Sequence, residues 1–229
     1  IVFGDWSSDV CSSDLGEGRE VNTQPGKLRL LLVRHGETDW NLEQRIQGQL
    51  QIPLNAKGRR QAELAAERLA QYEFRAAWSS DLVRARETAE VILARLPGLG
   101  LGLDEALREA NFGLWEGLTY GEFRAAAPEA AAQWIEAPEE VEAPGGESLV
   151  QMRARVVAFA RELLDRHPGS TVLLITHGGP IRALVAEVSG VRMTELPDPA
   201  NGSLTSLILT DSDGELVTYN DIEHLAKAN

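Results

Sequence analysis

Thiol chemistry is almost absent from this chain, which has one cysteine, Cys11, in 229 residues. A single thiol excludes an internal disulfide framework and a thiolate metal site. No apolar run nears the ~18 residues of a membrane span, so a membrane is excluded as a partner. Positive charge is in deficit: 22 Lys and Arg against 35 Asp and Glu leave −13. A field of that sign repels polyanions and argues against nucleic acid, although a small anion can still be held in a locally basic pocket. Internal repeats are missing too. What is present, 43% hydrophobic and 25% charged residues, is ordinary globular composition, and the length suits one domain around one sizeable core. Disorder, collagen and coiled coil are excluded by the same numbers.

The segment Asp5 to Leu15, DWSSDVCSSDL, has neither helical nor strand period. It also matches the translation of one frame of a common sequencing-adapter oligonucleotide. Residues 1–15 are therefore expected to be a sequence artefact or a disordered tail, and are kept out of the fold. Cys11 lies inside them. Residues 16–27 read as a linker, 28–225 as the domain and 226–229 as a tail. A basic segment followed by an apolar one is nowhere seen, which sets a cytoplasmic location as the expectation.

Leu28 to Val33 and Thr171 to Ile175 are apolar runs of strand length, as in a parallel sheet covered on both faces. Ala76 to Ser79 reads as a short strand. Asn55 is placed to cap a helix running to about Gln71, and Leu82 to Leu96 predicts a second, stopped by Pro97 and Gly98. From Ser148 to His167, Leu149, Met152, Val156, Phe159 and Leu163 form one apolar stripe. Gly202 to Thr210 and Glu215 to Asn220 alternate around Asp213-Gly214, which predicts an edge hairpin. The order predicts an α/β sandwich with a mainly parallel central sheet. Residues 111–146 differ in character, holding Phe112, Trp115, Tyr120, Phe123 and Trp134, and are read as a small helical insertion packed on the sheet.

Two strands end in histidine-glycine: Arg34-His35-Gly36-Glu37-Thr38 and Thr176-His177-Gly178-Gly179-Pro180. Ligands of open α/β sheets bind at the carboxyl ends of the strands. The glycines admit close approach to backbone N–H groups, and a helix starting at Pro180 would favour an anion at its N-terminus. Arg34 and Arg84 offer forked donors that match phosphate oxygens. Their charges also hold a nearby imidazole neutral, with a nitrogen free to attack phosphorus. Leu107-Arg108-Glu109, followed by Gly113-Leu114-Trp115-Glu116-Gly117, supplies a candidate carboxylate. Singly these signals are weak. Glu109 alone would read as a surface carboxylate, the aromatic cluster as subdomain core, and Asp211 to Gly214 as a turn rather than a calcium loop.

Jointly they are specific. RHGETDWN (34–41), QG (47–48), SSDLVRARETA (79–89), LREANFGLWEG (107–117) and THGG (176–179) occur in order, and the chain closely resembles the histidine phosphatase superfamily, the phosphoglycerate mutase-like fold. That resemblance implies a three-layer αβα sandwich with a small helical cap. It implies that His35 is the phosphorylated nucleophile, that Arg34, Arg84, His177 and Gly178 hold the phosphoryl group with His177 protonated, and that Glu109 is the proton donor. Asn41 and Gln47 take the positions of supporting pocket contacts. No metal or cofactor is implied, and the expected partner is a small phosphorylated metabolite; oligomeric state is left open.

Within the family, Glu109-Ala110-Asn111-Phe112-Gly113 departs from the Glu-Arg-His-Tyr-Gly of the bisphosphoglycerate-dependent mutases. Together with Gly145-Gly146-Glu147-Ser148, Asn201-Gly202-Ser203, Asn220-Asp221 and His224-Leu225, it is similar to α-ribazole phosphatases and broad-specificity phosphatases. The expectation is a metal-independent phosphomonoesterase, with α-ribazole 5′-phosphate as a candidate substrate. Mutase-type phosphoryl transfer is the alternative, followed by a protein phosphatase or a non-catalytic phospholigand-binding regulator. The cap aromatics suit an ester with a ring or apolar body.

Overall fold

The computed structural model describes residues 26–228. The readings of residues 1–15, of Cys11 and of the linker up to residue 25 lie outside the described residues. Six strands form one sheet: β1 (Leu28–Arg34), β2 (Ala76–Ser79), β3 (Leu101–Leu103), β4 (Ser170–Thr176), β5 (Leu204–Leu209) and β6 (Gly214–Asp221). Their order is β3-β2-β4-β1-β5-β6, with the first four parallel and the β5–β6 hairpin antiparallel at one edge. Seven helices accompany them: α1 (Asp39–Leu42), α2 (Ala56–Leu69), α3 (Val83–Leu93), α4 (Tyr120–Ala126), α5 (Pro128–Glu136), α6 (Leu149–Arg166) and α7 (Gly178–Ser189).

The strand period of two divides the core between the faces. Leu28, Leu30 and Leu32 of β1, with Val172 and Leu174 of β4, meet Met152, Val156 and Phe159 of α6 and Ile181, Leu184 and Val185 of α7. Leu31, Val33, Leu173 and Ile175 meet Ala65, Ala66 and Leu69 of α2 and Ala85, Ala89 and Ile92 of α3. Each fully buried aliphatic side chain contributes roughly 1.5–3 kcal/mol of transfer free energy, so both layers are held to the sheet by several such contacts. The result is a three-layer αβα sandwich, as the resemblance implies. None of the helices among the described residues is long and apolar enough to cross a membrane.

Local signals account for most boundaries. Asn55 caps α2 through Gly58 N, and Ser148 caps α6 in a reciprocal box with Gln151. Three expectations need correction. The α3 helix stops at Leu93, three residues short of Leu96, because Arg95 N and Leu96 N bond back to Ile92 O and Leu93 O in tighter turns. Helix α7 starts at Gly178, so Pro180 is its third residue; the first turn has no intrahelical use for that N–H. The insertion is not simply laid on the sheet. Its Trp115, Phe123, Ala131, Val141 and Ala143 make a core of their own with Ile46. Phe112 and Trp134 bridge that core to the main one, which the sheet builds with α6 and α7.

Candidate active site

At the carboxyl end of β1 the chain turns sharply, and His35 N bonds Thr176 O at 2.9 Å, carrying the strand ladder one residue further. Gly36 makes the turn possible: a Cβ there would sit 2.3 Å from Gly58 O. His35 is buried, and its Nδ1 lies 2.7 Å from Gly36 O. A carbonyl only accepts, so Nδ1 carries the hydrogen and Nε2 keeps its lone pair. Arg84 Nε donates to that Nε2 at 3.3 Å. Burial first, then the Arg84 and Arg34 charges, hold the His35 imidazole well below its usual range, so it is neutral at physiological pH.

Arg84 stands in the first turn of α3 and is wholly buried. Its Nη1 and Nη2 donate to Leu50 O at 2.9 Å and Gly48 O at 2.7 Å, so the guanidinium is oriented by carbonyls. Burial pushes its pKa down to about 10, which leaves it charged near neutrality. The Arg84 carbonyl accepts from Thr88 Oγ1, which accepts in turn from Gly36 N at 3.0 Å. Nucleophile loop and arginine helix are thereby coupled. Arg34 directs Nη1 to Asp198 Oδ2 at 2.6 Å and to Pro199 O. Gly178 is needed beside this pair, since a Cβ there would meet Asp198 Oδ1 at 2.5 Å.

His177 caps α7 at the end of β4, buried, with its ring centroid 5.1 Å from that of His35. Ser80 Oγ lies 2.9 Å from its Nε2. Burial, then Arg84, His35 and Arg34, push its pKa well down, and the ring is neutral in this arrangement. Three of the nominated side chains carry a buried polar atom that no protein group satisfies: Arg34 Nε, His177 Nδ1 and Gln47 Oε1. Buried polar atoms are rarely left so without a functional reason.

Glu109 does reach this place. Its backbone is pinned by Thr176 Oγ1, which donates to Leu107 O, and by Arg155, which donates to the carbonyls of Ala106, Arg108 and Glu109. The carboxylate accepts from Ala110 N at 2.9 Å and from Gly179 N at 3.2 Å, at the start of α7. Asn41 sits less centrally. Its Oδ1 accepts from Thr38 N and Thr38 Oγ1 in the capping box of α1, and it reaches His35 only through Asn201, whose Nδ2 donates to His35 O.

Sequence reasoning missed Asp198, Ser80, Thr88 and Arg155, which carry no signal beyond their place in longer strings. His167 and His224 stand apart from the cluster; the latter is bonded to Gly202 O. Of the cap aromatics, Phe112, Trp115, Phe123 and Trp134 pack on one another. Tyr120 alone is half-exposed, its hydroxyl within electrostatic reach of Arg34, Glu109, Arg182 and Asp198. Among the described residues no group of three or more His, Cys, Asp or Glu is arranged to hold a metal ion.

The arrangement provides a neutral, hydrogen-bonded imidazole nitrogen, two guanidinium groups, a helix N-terminus and a carboxylate converging on one space. The chain is similar to known proteins in sequence and in fold. The model of the histidine phosphatase superfamily, branch 1, matches residues 30–222. Phosphoglycerate mutase-like protein 4 of Arabidopsis thaliana is 37% identical over 201 residues, covering 86% of each chain. Glucosyl-3-phosphoglycerate phosphatase of Mycobacterium tuberculosis is 37% identical over 206 residues, covering 86% of this chain and 90% of its own. The solved structure of Bacillus stearothermophilus YhfR superposes with a TM-score of 0.81 at 33% identity, over 86% of this chain and 99% of that one. This chain therefore belongs to the histidine phosphatase superfamily, branch 1, and is a phosphoric monoester hydrolase.

Proposed function

We propose that this enzyme hydrolyses a small-molecule phosphate monoester through a phosphohistidine on His35 Nε2. The observation that carries the reading is the His35 tautomer: Nδ1–H is spent on Gly36 O, which leaves Nε2 unprotonated and accepting from Arg84 Nε. In the first step Nε2 attacks phosphorus, the P–O bond to the leaving group breaks, and Glu109 gives its proton to the departing oxygen. In the second, the ionised Glu109 takes a proton from water, the oxygen attacks phosphorus, and the P–N bond breaks to release phosphate and neutral His35. Arg34, Arg84 and the Gly178 amide neutralise charge on the equatorial oxygens, each donor contributing on the order of 10²- to 10³-fold in rate. A bound dianion beside His177 favours its protonated form, supplying a further donor. Gln47 supports the pocket, and Asn41 acts through Asn201. No step needs a metal.

The substrate is read as a small phosphorylated metabolite. Because four of the five cap aromatics are spent on the cap's own packing, only Tyr120 is left to meet a leaving group. This weakens the preference for a ring-bearing ester, and α-ribazole 5′-phosphate stands beside glycosylated and simple phosphoglycerates as a candidate. The test is phosphate release from p-nitrophenyl phosphate, α-ribazole 5′-phosphate, 3-phosphoglycerate and sugar phosphates in EDTA. Release by the wild type and none by His35→Ala is expected, with label from a radioactive ester trapped on His35. Glu109→Gln should slow alkyl esters far more than the activated aryl ester. Isomerised phosphoglycerate with little free phosphate would point instead to a mutase, and equal losses on both ester types would remove Glu109 as the acid.

A further inference from the structure

Arg84 is the most deeply buried cation of the site, and no carboxylate touches it; its two Nη groups rest on Gly48 O and Leu50 O. Its aim therefore depends on whatever fixes the 48–50 loop. That loop is fixed from the cap. Ile46 N bonds Leu118 O at 2.9 Å and Gly117 N bonds Ile46 O at 2.8 Å, zipping the two segments together. Beyond the zip, Glu116 Oε1 accepts from Gln49 N at 2.9 Å and from Phe112 N at 3.1 Å. The carboxylate occupies the place a side chain at 48 would fill: a Cβ on Gly48 would lie 1.9 Å from Oε1, and Gly48 holds φ +49°. Gln49 also sends Nε2 to Glu109 O, so one loop touches both the arginine helix and the acid's backbone.

We propose that Glu116 is a positioning residue for Arg84, acting through the Gly48 and Leu50 carbonyls. This rests on the reading above that Arg84 binds the phosphoryl group. The arrangement has a physical logic. A carboxylate placed directly on Arg84 would compete with phosphate for the same donors, whereas carbonyls orient the guanidinium and leave its remaining N–H groups free. Glu116 supplies the negative charge one residue removed, within electrostatic reach of Arg84 and off the phosphoryl path.

The test is a double-mutant cycle read as inhibition by inorganic vanadate, a phosphoryl mimic, and as direct vanadate binding where turnover is lost. Glu116→Ala should weaken vanadate by about 10- to 100-fold, the scale of a misplaced binding group. In an Arg84→Ala background the same substitution should change it by less than about twofold, since the cycle leaves nothing for Glu116 to aim. Glu116→Gln keeps an acceptor for both N–H groups and should stay within a few-fold of wild type. If Glu116→Ala does not fold, Gly48→Ala pushes the carboxylate out from the other side and should give the same loss and the same dependence on Arg84. Additive losses in the two backgrounds, or a folded Glu116→Ala that binds vanadate normally, overturn the assignment. An Arg84→Ala enzyme that itself binds vanadate normally would instead remove Arg84 from the phosphoryl site.

Discussion

Three histidines, His35, His177 and His224, are buried and held below the usual imidazole range, each mainly by burial. In the unfolded chain they titrate near 6.5. Below that pH the unfolded chain binds protons that the folded one refuses, so the stability they contribute is complete above about 6.5. It is lost as pH falls toward the depressed folded values. Thermal melts at pH 7.5 and 5.5 should therefore show a lower midpoint at 5.5, and His177→Asn should shrink the difference. An unchanged difference would mean that His177 is not a source of it. At this scale the strings around His35 and His177 made the two imidazoles legible as a pair, and the arginines as their neighbours. Protonation was not legible. It depends on how much water the fold removes and on the charge of Arg84, which acts on His177 although far from it in sequence. Asp198 was invisible for the same reason, since its importance lies in Arg34, 164 residues away in sequence at the end of β1.

Helix α7 shows what an element adds. Its first two residues are glycines against which two carboxylates rest, Asp198 on Gly178 and Glu109 on Gly179. Gly179 has no unusual backbone angle, so alanine there costs nothing in conformation; its Cβ would, however, lie 2.2 Å from Glu109 Oε1. Gly179→Ala is therefore expected to displace the acid in a folded protein. General acid catalysis is worth about 10²- to 10⁴-fold, so alkyl ester turnover should fall by at least about 10²-fold while p-nitrophenyl phosphate loses far less. Parallel kinetics on the two esters check it, and equal losses would point to the phosphoryl pocket instead. Elements with a long apolar stripe or a capping residue, such as α2 and α6, were readable from sequence. The short β3 was not, because Leu101–Leu103 has three residues and Gly102 exists to admit the Trp78 ring rather than to favour a strand. The cap was recognisable as an aromatic-rich insertion, but its placement was not. Its small core includes Ile46, a residue contributed from outside it.

At the scale of the molecule, the −13 net charge sets a repulsive background against which Arg34 and Arg84 must attract an anion, and burial is what lets them, since screening by solvent is weak there. The sheet order carries a further consequence. Strand β4 lies between β1 and β2, with Arg34 paired to Thr176 and Ser79 to Ile175. A chain lacking its second half has a gap in the middle of its sheet, with the nucleophile on one side of the gap and the arginine helix on the other. Partial products of synthesis or proteolysis are thus expected to be silent. Two fragments divided between α5 and α6 should each be inert and should recover phosphatase activity when co-expressed; turnover by the first fragment alone would contradict this. The strand that closes the gap is also the one that delivers His177, so closing the sheet and pairing the two histidines are one event.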